Sequence, residues 1–202
     1  LSDQRSAWDA SLGFTVKSGW ASVVLLAGSI GSVRVVESGR VDLSDPAIPA
    51  SKQPYHAGFG TARKDGPELA RLLASVEQYG RGSMTRLLDR HQKSGYHLLG
   101  AGVVVGSTTD PGTIANDHIR IHALEGRLFR QVVEDGVGRL HLPCSTWRER
   151  DLYGRAAATL DRPEAALRAV LTSLGRDVAG PWRAEQKAAT LAAWLVLAAV
   201  AP

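Results

Sequence analysis

Apolar and polar positions along the chain change period several times, and each change marks an element. Residues 1–19 carry no clear period and read as an arm or a short helix. Ser22–Ala27 (SVVLLA) is a short β-rich run that stops at Gly28, Ser29 and Gly31. Val33, Val35 and Val36, with Val41 and Leu43 beyond Gly39, form a second run of the same kind. Runs of β-branched residues cut by glycines predict an antiparallel meander. Residues 44–66, rich in Pro, Gly and small polar side chains, predict a long loop. Over Pro67–Arg90 the apolar residues Leu69, Leu72, Leu73, Val76 and Tyr79, continued by Met84, Leu87 and Leu88, recur at helical spacing. Gly80 and Gly82 predict a break between two helices there.

Leu98–Gly106 (LLGAGVVVG) is a continuous apolar run bounded by turns, the pattern of a strand buried on both faces. Asn116 or Asp117 is placed to cap a helix that runs to about Asp135. Leu142–Arg148 reads as a strand. Asp151–Leu160 and Pro163–Leu174 read as helices, the second with proline in its favoured first turn. Pro181 opens a last helix. Strands first, then alternation of strands and helices, predict an α/β domain: a mixed sheet with an antiparallel meander and helices on both sides. The 202 residues suit one domain, with residues 1–19 as an arm and 20–202 as the core.

Composition narrows the partners. The apolar stretch Ala188–Pro202 is shorter than the roughly 20 residues that span a bilayer, so it reads as a core helix and no membrane partner is expected. Asp3 and Asp9 interrupt the head, where a signal peptide would need an apolar run. The single cysteine, Cys144, rules out an internal disulfide framework and a thiolate zinc site. It points to a reducing, cytoplasmic setting, with Cys144 itself a buried, inert thiol. Lys plus Arg exceed Asp plus Glu by 24 to 20, a mild excess that permits a DNA or RNA partner without requiring one. A homo-oligomer is equally compatible.

Three constellations carry chemistry. On the helix that starts at Asn116, His118, His122 and Glu125 fall on one face that is otherwise apolar through Ile121, Phe129 and Val132. Either the polar trio satisfies itself or the preceding loop, or the two histidines and the glutamate form a site. Such a site would suit manganese or zinc better than magnesium, because imidazole is a poor ligand for Mg²⁺. In Pro181–Lys187 (PWRAEQK), Glu185 is either an ordinary first-turn glutamate at the positive helix end or a displaced site carboxylate. Arg148, Arg150 and Arg155, with Arg120, Arg127 and Arg130, either scatter into solvent or form an anion-binding rim. The turn AGSIGS (Ala27–Ser32) has the glycines of a tight hairpin. The stretch YHAGFG (Tyr55–Gly60) reads as a packed loop with aromatic plugs or as a ligand loop.

Three stretches read together resemble the resolvase branch of the ribonuclease H-like superfamily, and especially the Holliday-junction resolvases related to RuvC. They are Gly102–Gly106, Leu142–Asp151 (LPCSTWRERD) and Lys187–Leu197 (KAATLAAWLVL), in the family's order. The resemblance implies a ribonuclease H-like fold and a metal-dependent cleavage of phosphodiesters by carboxylates on the first strand, at the end of a later strand and on the final helix. Glu149 and Arg150 match the later strand's motif, where Arg148 replaces an aspartate. The other two carboxylates would fall at Ala27 and Ala189. Two-metal cleavage needs hard oxygen ligands, and alanine supplies none. The resemblance therefore implies a nucleic-acid-binding relative with a degraded metal site, with the arginines as its contacts. Two alternatives stand beside it. One is a structural or interaction protein that keeps only the fold. The other is an active metal-dependent nuclease whose site is relocated to Glu149, Glu125 and Glu185 with His118 or His122. In the resolvase reading, Ala27, Glu149 and the Glu185–Ala189 turn should meet at one edge of the sheet.

Overall fold

The computed structural model describes residues 8–58 and 61–200. Seven strands and five helices follow in chain order: β1 (Asp9–Lys17), β2 (Trp20–Ser29), β3 (Ser32–Asp42), β4 (His56–Gly58), β5 (Thr61–Ala62), α1 (Pro67–Gln92), β6 (His97–Val105), α2 (Asp117–Gly138), β7 (Cys144–Arg148), α3 (Glu149–Leu160), α4 (Glu164–Leu174) and α5 (Ala184–Val200). The main sheet has the order β3-β2-β1-β6-β7. β1, β2 and β3 form the antiparallel meander, and β6 and β7 run parallel to β1. The α/β expectation holds in every layer.

The largest departure from the sequence pattern is β1. Residues expected as an arm form the central strand. Its residues alternate, apolar with small or polar, but both faces are covered. Ala10, Leu12, Phe14 and Val16 point into one core, with α1 and α2. Ser11, Gly13 and Thr15 face α5, which approaches so closely that only small residues fit. A Cβ built on Gly13 would lie 1.8 Å from the Ala189 carbonyl oxygen. The Ser11 hydroxyl donates to the Ala193 carbonyl at 2.7 Å and the Thr15 hydroxyl to that of Glu185 at 2.8 Å. Two buried polar groups are thus satisfied by a helix backbone, and only the other face of the strand is apolar.

The helices α3, α4 and α5 build a second core on this other face, around Leu152, Leu167, Leu191 and Trp194. On the first face α1 runs unbroken through Gly80 and Gly82, against the expected split. Gly80 is a contact point rather than a breaker: a Cβ there would meet Val132 of α2 at 2.5 Å. Tertiary packing overrides the local cost of glycine. Asn116 caps α2 as expected, its side-chain oxygen accepting from the Ile119 amide at 3.0 Å. The loop of residues 43–66 holds a short 3₁₀ turn at Pro49–Lys52 and the β4–β5 hairpin. Phe59 and Gly60 of the Tyr55–Gly60 stretch lie outside the described residues, as do residues 1–7. Among the described residues no helix is long and apolar enough to cross a membrane.

Cys144 corrects a further expectation. It is exposed, because β7 is an edge strand and is paired on one side only. Neighbouring atoms nevertheless hem in the thiol on its inner side, and this partial desolvation, followed by the charge of Glu134, pushes it up to about 11, so the thiolate needed for reactivity stays scarce.

His91, at the end of α1, is 2% exposed, and its Nε2 has no hydrogen-bond partner among the described residues. Burial holds its pKa below the usual 6.5; Glu37 opposes the shift and Arg90 adds to it. Below pH 6.5 the unfolded chain binds this proton more readily than the folded one. His91 therefore contributes stability that is complete above that pH and lost as the pH falls. The urea midpoint should be lower at pH 5 than at pH 7.5, and His91→Gln should flatten that difference. An equal pH difference in the variant would remove His91 as its source.

Candidate functional site

The carboxyl ends of β1, β6 and β7 meet at one edge of the sheet, where Lys17, Val105 and Arg148 close the strands. A cleft of about 510 Å³ opens beyond this edge, lined by Val16, Lys17, Gly106, Ser107, Ile119 and His122. This is where open α/β sheets hold ligands.

Glu149 opens α3 at this edge. Its carboxylate is 3.4 Å from Lys17 Nζ, and both side chains are partly exposed. The backbone of Glu185 also reaches the edge, through its bond from Thr15, while its side chain lines a separate groove with Trp20, Arg40 and Arg183. Ala189 is fully buried against Gly13. Ala27 does not join them. It pairs with Ala10 at the amino end of β1, whereas the site edge is at Lys17. The cause is the strand assignment: the expectation begins the sheet at the more continuous apolar run of β2, whereas β1 is apolar at alternate positions only. The first strand is β1, and its one carboxylate, Asp9, sits at the far end against His97 Nδ1 at 2.9 Å.

On α2, His118, His122 and Glu125 share a face as the spacing predicts, and a fourth residue completes the group. His56, from β4, places Nδ1 2.8 Å from Oε1 of Glu125. Nε2 of His122 is 3.2 Å from Nε2 of His118, and one ligand atom from each of His56, His118 and His122 lies within 4.8 Å of the others. Among the described residues this is the one group of three or more metal-ligating side chains. Glu125 is completely buried, and its Oε2 has no hydrogen-bond partner among the described residues. Burial raises the Glu125 pKa, while the hydrogen bond and charge of His56 pull it down. Burial also lowers that of His122, helped by the charges of His118 and His56. Sequence spacing cannot find His56, because it is 69 residues from Glu125 and joins it only through the loop. The structure does not bring Glu125 and Glu185 together: α2 and α5 cover opposite faces of the sheet.

Arg120, Arg127, Arg148 and Arg150, four of the six expected arginines, each lie against a carboxylate. Arg148 Nε lies 2.5 Å from Asp151, and Arg150 lies 3.6 Å from the same residue. Arg120 pairs with Asp117 at 2.8 Å and Arg127 with Asp110 at 3.6 Å. Arg130 reaches Glu134 at 3.6 Å, and Arg155 is exposed on α3.

No family model matches the sequence, and no curated protein matches it. Solved structures do match the fold. RuvC of T. thermophilus in complex with a Holliday junction substrate aligns over 92% of this chain and 90% of its own, at 11% identity and a TM-score of 0.54. Thermus thermophilus RuvC aligns over 92% of both chains at 12% identity and a TM-score of 0.52. The yeast mitochondrial Holliday junction resolvase Ydc2 aligns over 96% of this chain and 80% of its own, at 9% identity and 0.51. This chain has the resolvase fold. It is the ribonuclease H-like architecture that the three stretches implied, with the strand order and helix placement described above. Within the resolvase fold the carboxyl edge of the sheet carries one of the expected carboxylates, Glu149, and the histidine group stands on the α2 side of the same edge.

Proposed function

We propose that this protein binds nucleic acid through the carboxyl edge of its sheet and lacks two-metal cleavage. The observation that carries the reading is the make-up of that edge. Glu149 is the one expected carboxylate there and lies against Lys17, while Ala189 is sealed under β1. Arg148 and Arg150 flank it with side chains 41% and 72% exposed. A guanidinium has five donors, so a single aspartate leaves part of each fork open to a phosphate. The likeness to a RuvC solved with a junction supports a branched DNA as the first ligand to try.

The test is a binding titration with four-way junction, duplex and single-stranded DNA, and with RNA, across a range of salt. Affinity should fall as salt rises, because bound counterions are released. Arg148→Ala with Arg150→Ala should weaken binding and reduce the salt slope by about 2. No cleavage should follow in Mg²⁺. Mg²⁺-dependent cleavage abolished by Glu149→Gln would overturn the reading. The pairing of all four arginines within the chain favours a second reading, a scaffold that keeps only the fold. Absence of binding at low salt would decide for it.

A further inference from the structure

We infer that His56, His118 and His122 form a binding site for a single zinc-like transition-metal ion, with Glu125 as the residue that positions His56. The inference does not depend on nucleic-acid binding. It begins from spacing. Zinc bonds imidazole nitrogen at about 2.0–2.1 Å, so tetrahedral ligands stand roughly 3.3 Å apart. The Nε2 atoms of His118 and His122 are already 3.2 Å apart, one helical turn from each other. Two neutral imidazoles meeting nitrogen to nitrogen need either a shared proton or a cation between them.

The third ligand comes from a different element, which separates this group from a chance helical pair. His56 spends Nδ1 on Glu125 at 2.8 Å. With that nitrogen protonated, its Nε2 carries the lone pair. Its ring stands 5.0 Å from that of His122, which is 4.7 Å from the ring of His118. A carboxylate behind a ligating histidine is the usual outer arrangement of zinc sites; it fixes the tautomer and makes the ligand more basic. Glu125 is completely buried with one oxygen unpartnered, a costly placement that a charged group beyond His56 would offset. His118 and His122 are exposed and His56 half-buried, so a fourth position stays open to water. His122 also lines the cleft beyond β1 and β6. The chemistry fits a borderline ion with nitrogen ligands, zinc above all, and not Mg²⁺, which demands oxygen.

The full chain, stripped with a chelator, would be titrated with Zn²⁺ against a chromophoric zinc indicator, and with Co²⁺ followed by its visible absorption. One equivalent should bind, with the intense bands of four-coordinate Co²⁺. His118→Gln with His122→Gln, both at exposed positions, should abolish binding while leaving the circular dichroism unchanged. His56→Ala should weaken it at least tenfold. Glu125→Gln should weaken it by about 10-fold or more and shift the Co²⁺ bands, an effect that lost packing alone would not produce. Zn²⁺ binding equal in wild type and the double histidine variant would overturn the site. Binding unaffected by His56→Ala would also overturn it, by reducing it to a bare helical pair.

Discussion

Gly13→Ala is expected to cost the protein a large share of its stability. The added Cβ would fall 1.8 Å from the Ala189 carbonyl oxygen and 2.6 Å from its carbon. Neither belongs to a flexible side chain; both are helix backbone. Relief therefore requires α5 to leave β1, and with it the bonds from Ser11 to Ala193 and from Thr15 to Glu185. The cost should reach or pass the upper end of ordinary overpacking, about 3 kcal/mol. Against a typical total of about 5–15 kcal/mol that is a large share. Gly126→Ala is the matched control. Gly126 sits on the exposed side of α2 with nothing within 4 Å, and the change should gain about 0.8–1 kcal/mol from helix propensity. Urea unfolding of the two variants should move in opposite directions. A Gly13→Ala midpoint equal to wild type would show that α5 can shift freely.

Trp194→Ala should have an effect of similar size. The indole is 1% exposed in the centre of the α5 core, and its Nε1 donates to the Ile30 carbonyl at 3.0 Å. The Arg162 guanidinium lies over the ring, 5.5 Å from its centre. Truncation removes a large buried surface, leaves a cavity and deprives that carbonyl of its donor, for about 3–5 kcal/mol in all. For a chain of this size the melting temperature should drop by roughly 10 °C. Trp194→Phe should recover most of the loss, because it restores the bulk and forgoes only the hydrogen bond. Equal melting of the alanine and phenylalanine variants would show that packing at this position contributes little.

The fold was legible wherever burial was one-sided or wholly apolar. α1, α2 and β6 announce themselves in this way, and the Asn116 cap, a local signal, was also found. β1 was missed although its apolar positions alternate, because Ser11, Gly13 and Thr15 between them make a weaker run than that of β2, and only α5, 170 or more residues away, shows that this second face is buried too. That one miss carried the expected first-strand carboxylate to Ala27, at the wrong end of the sheet. The histidine face of α2 was legible from spacing, but its partner was not. Only the return of the 43–66 loop onto α2 shows that Glu125 serves His56. The expected gathering of Glu125 with Glu185 failed for a reason that no periodicity encodes: the sheet stands between them.

The clasp between β1 and α5 also sets an order of events during synthesis. The carbonyl that accepts from Ser11 in the central strand belongs to Ala193, 182 residues later in the chain. The β2–β3 hairpin closes locally and can form while translation continues. The strand beside it has one face uncovered until α5 has left the ribosome. Contacts of such separation delay folding. During that interval Ser11, Gly13 and Thr15 serve the nascent chain, since a central strand with small polar residues on its open face is less adhesive than one lined with valine and leucine.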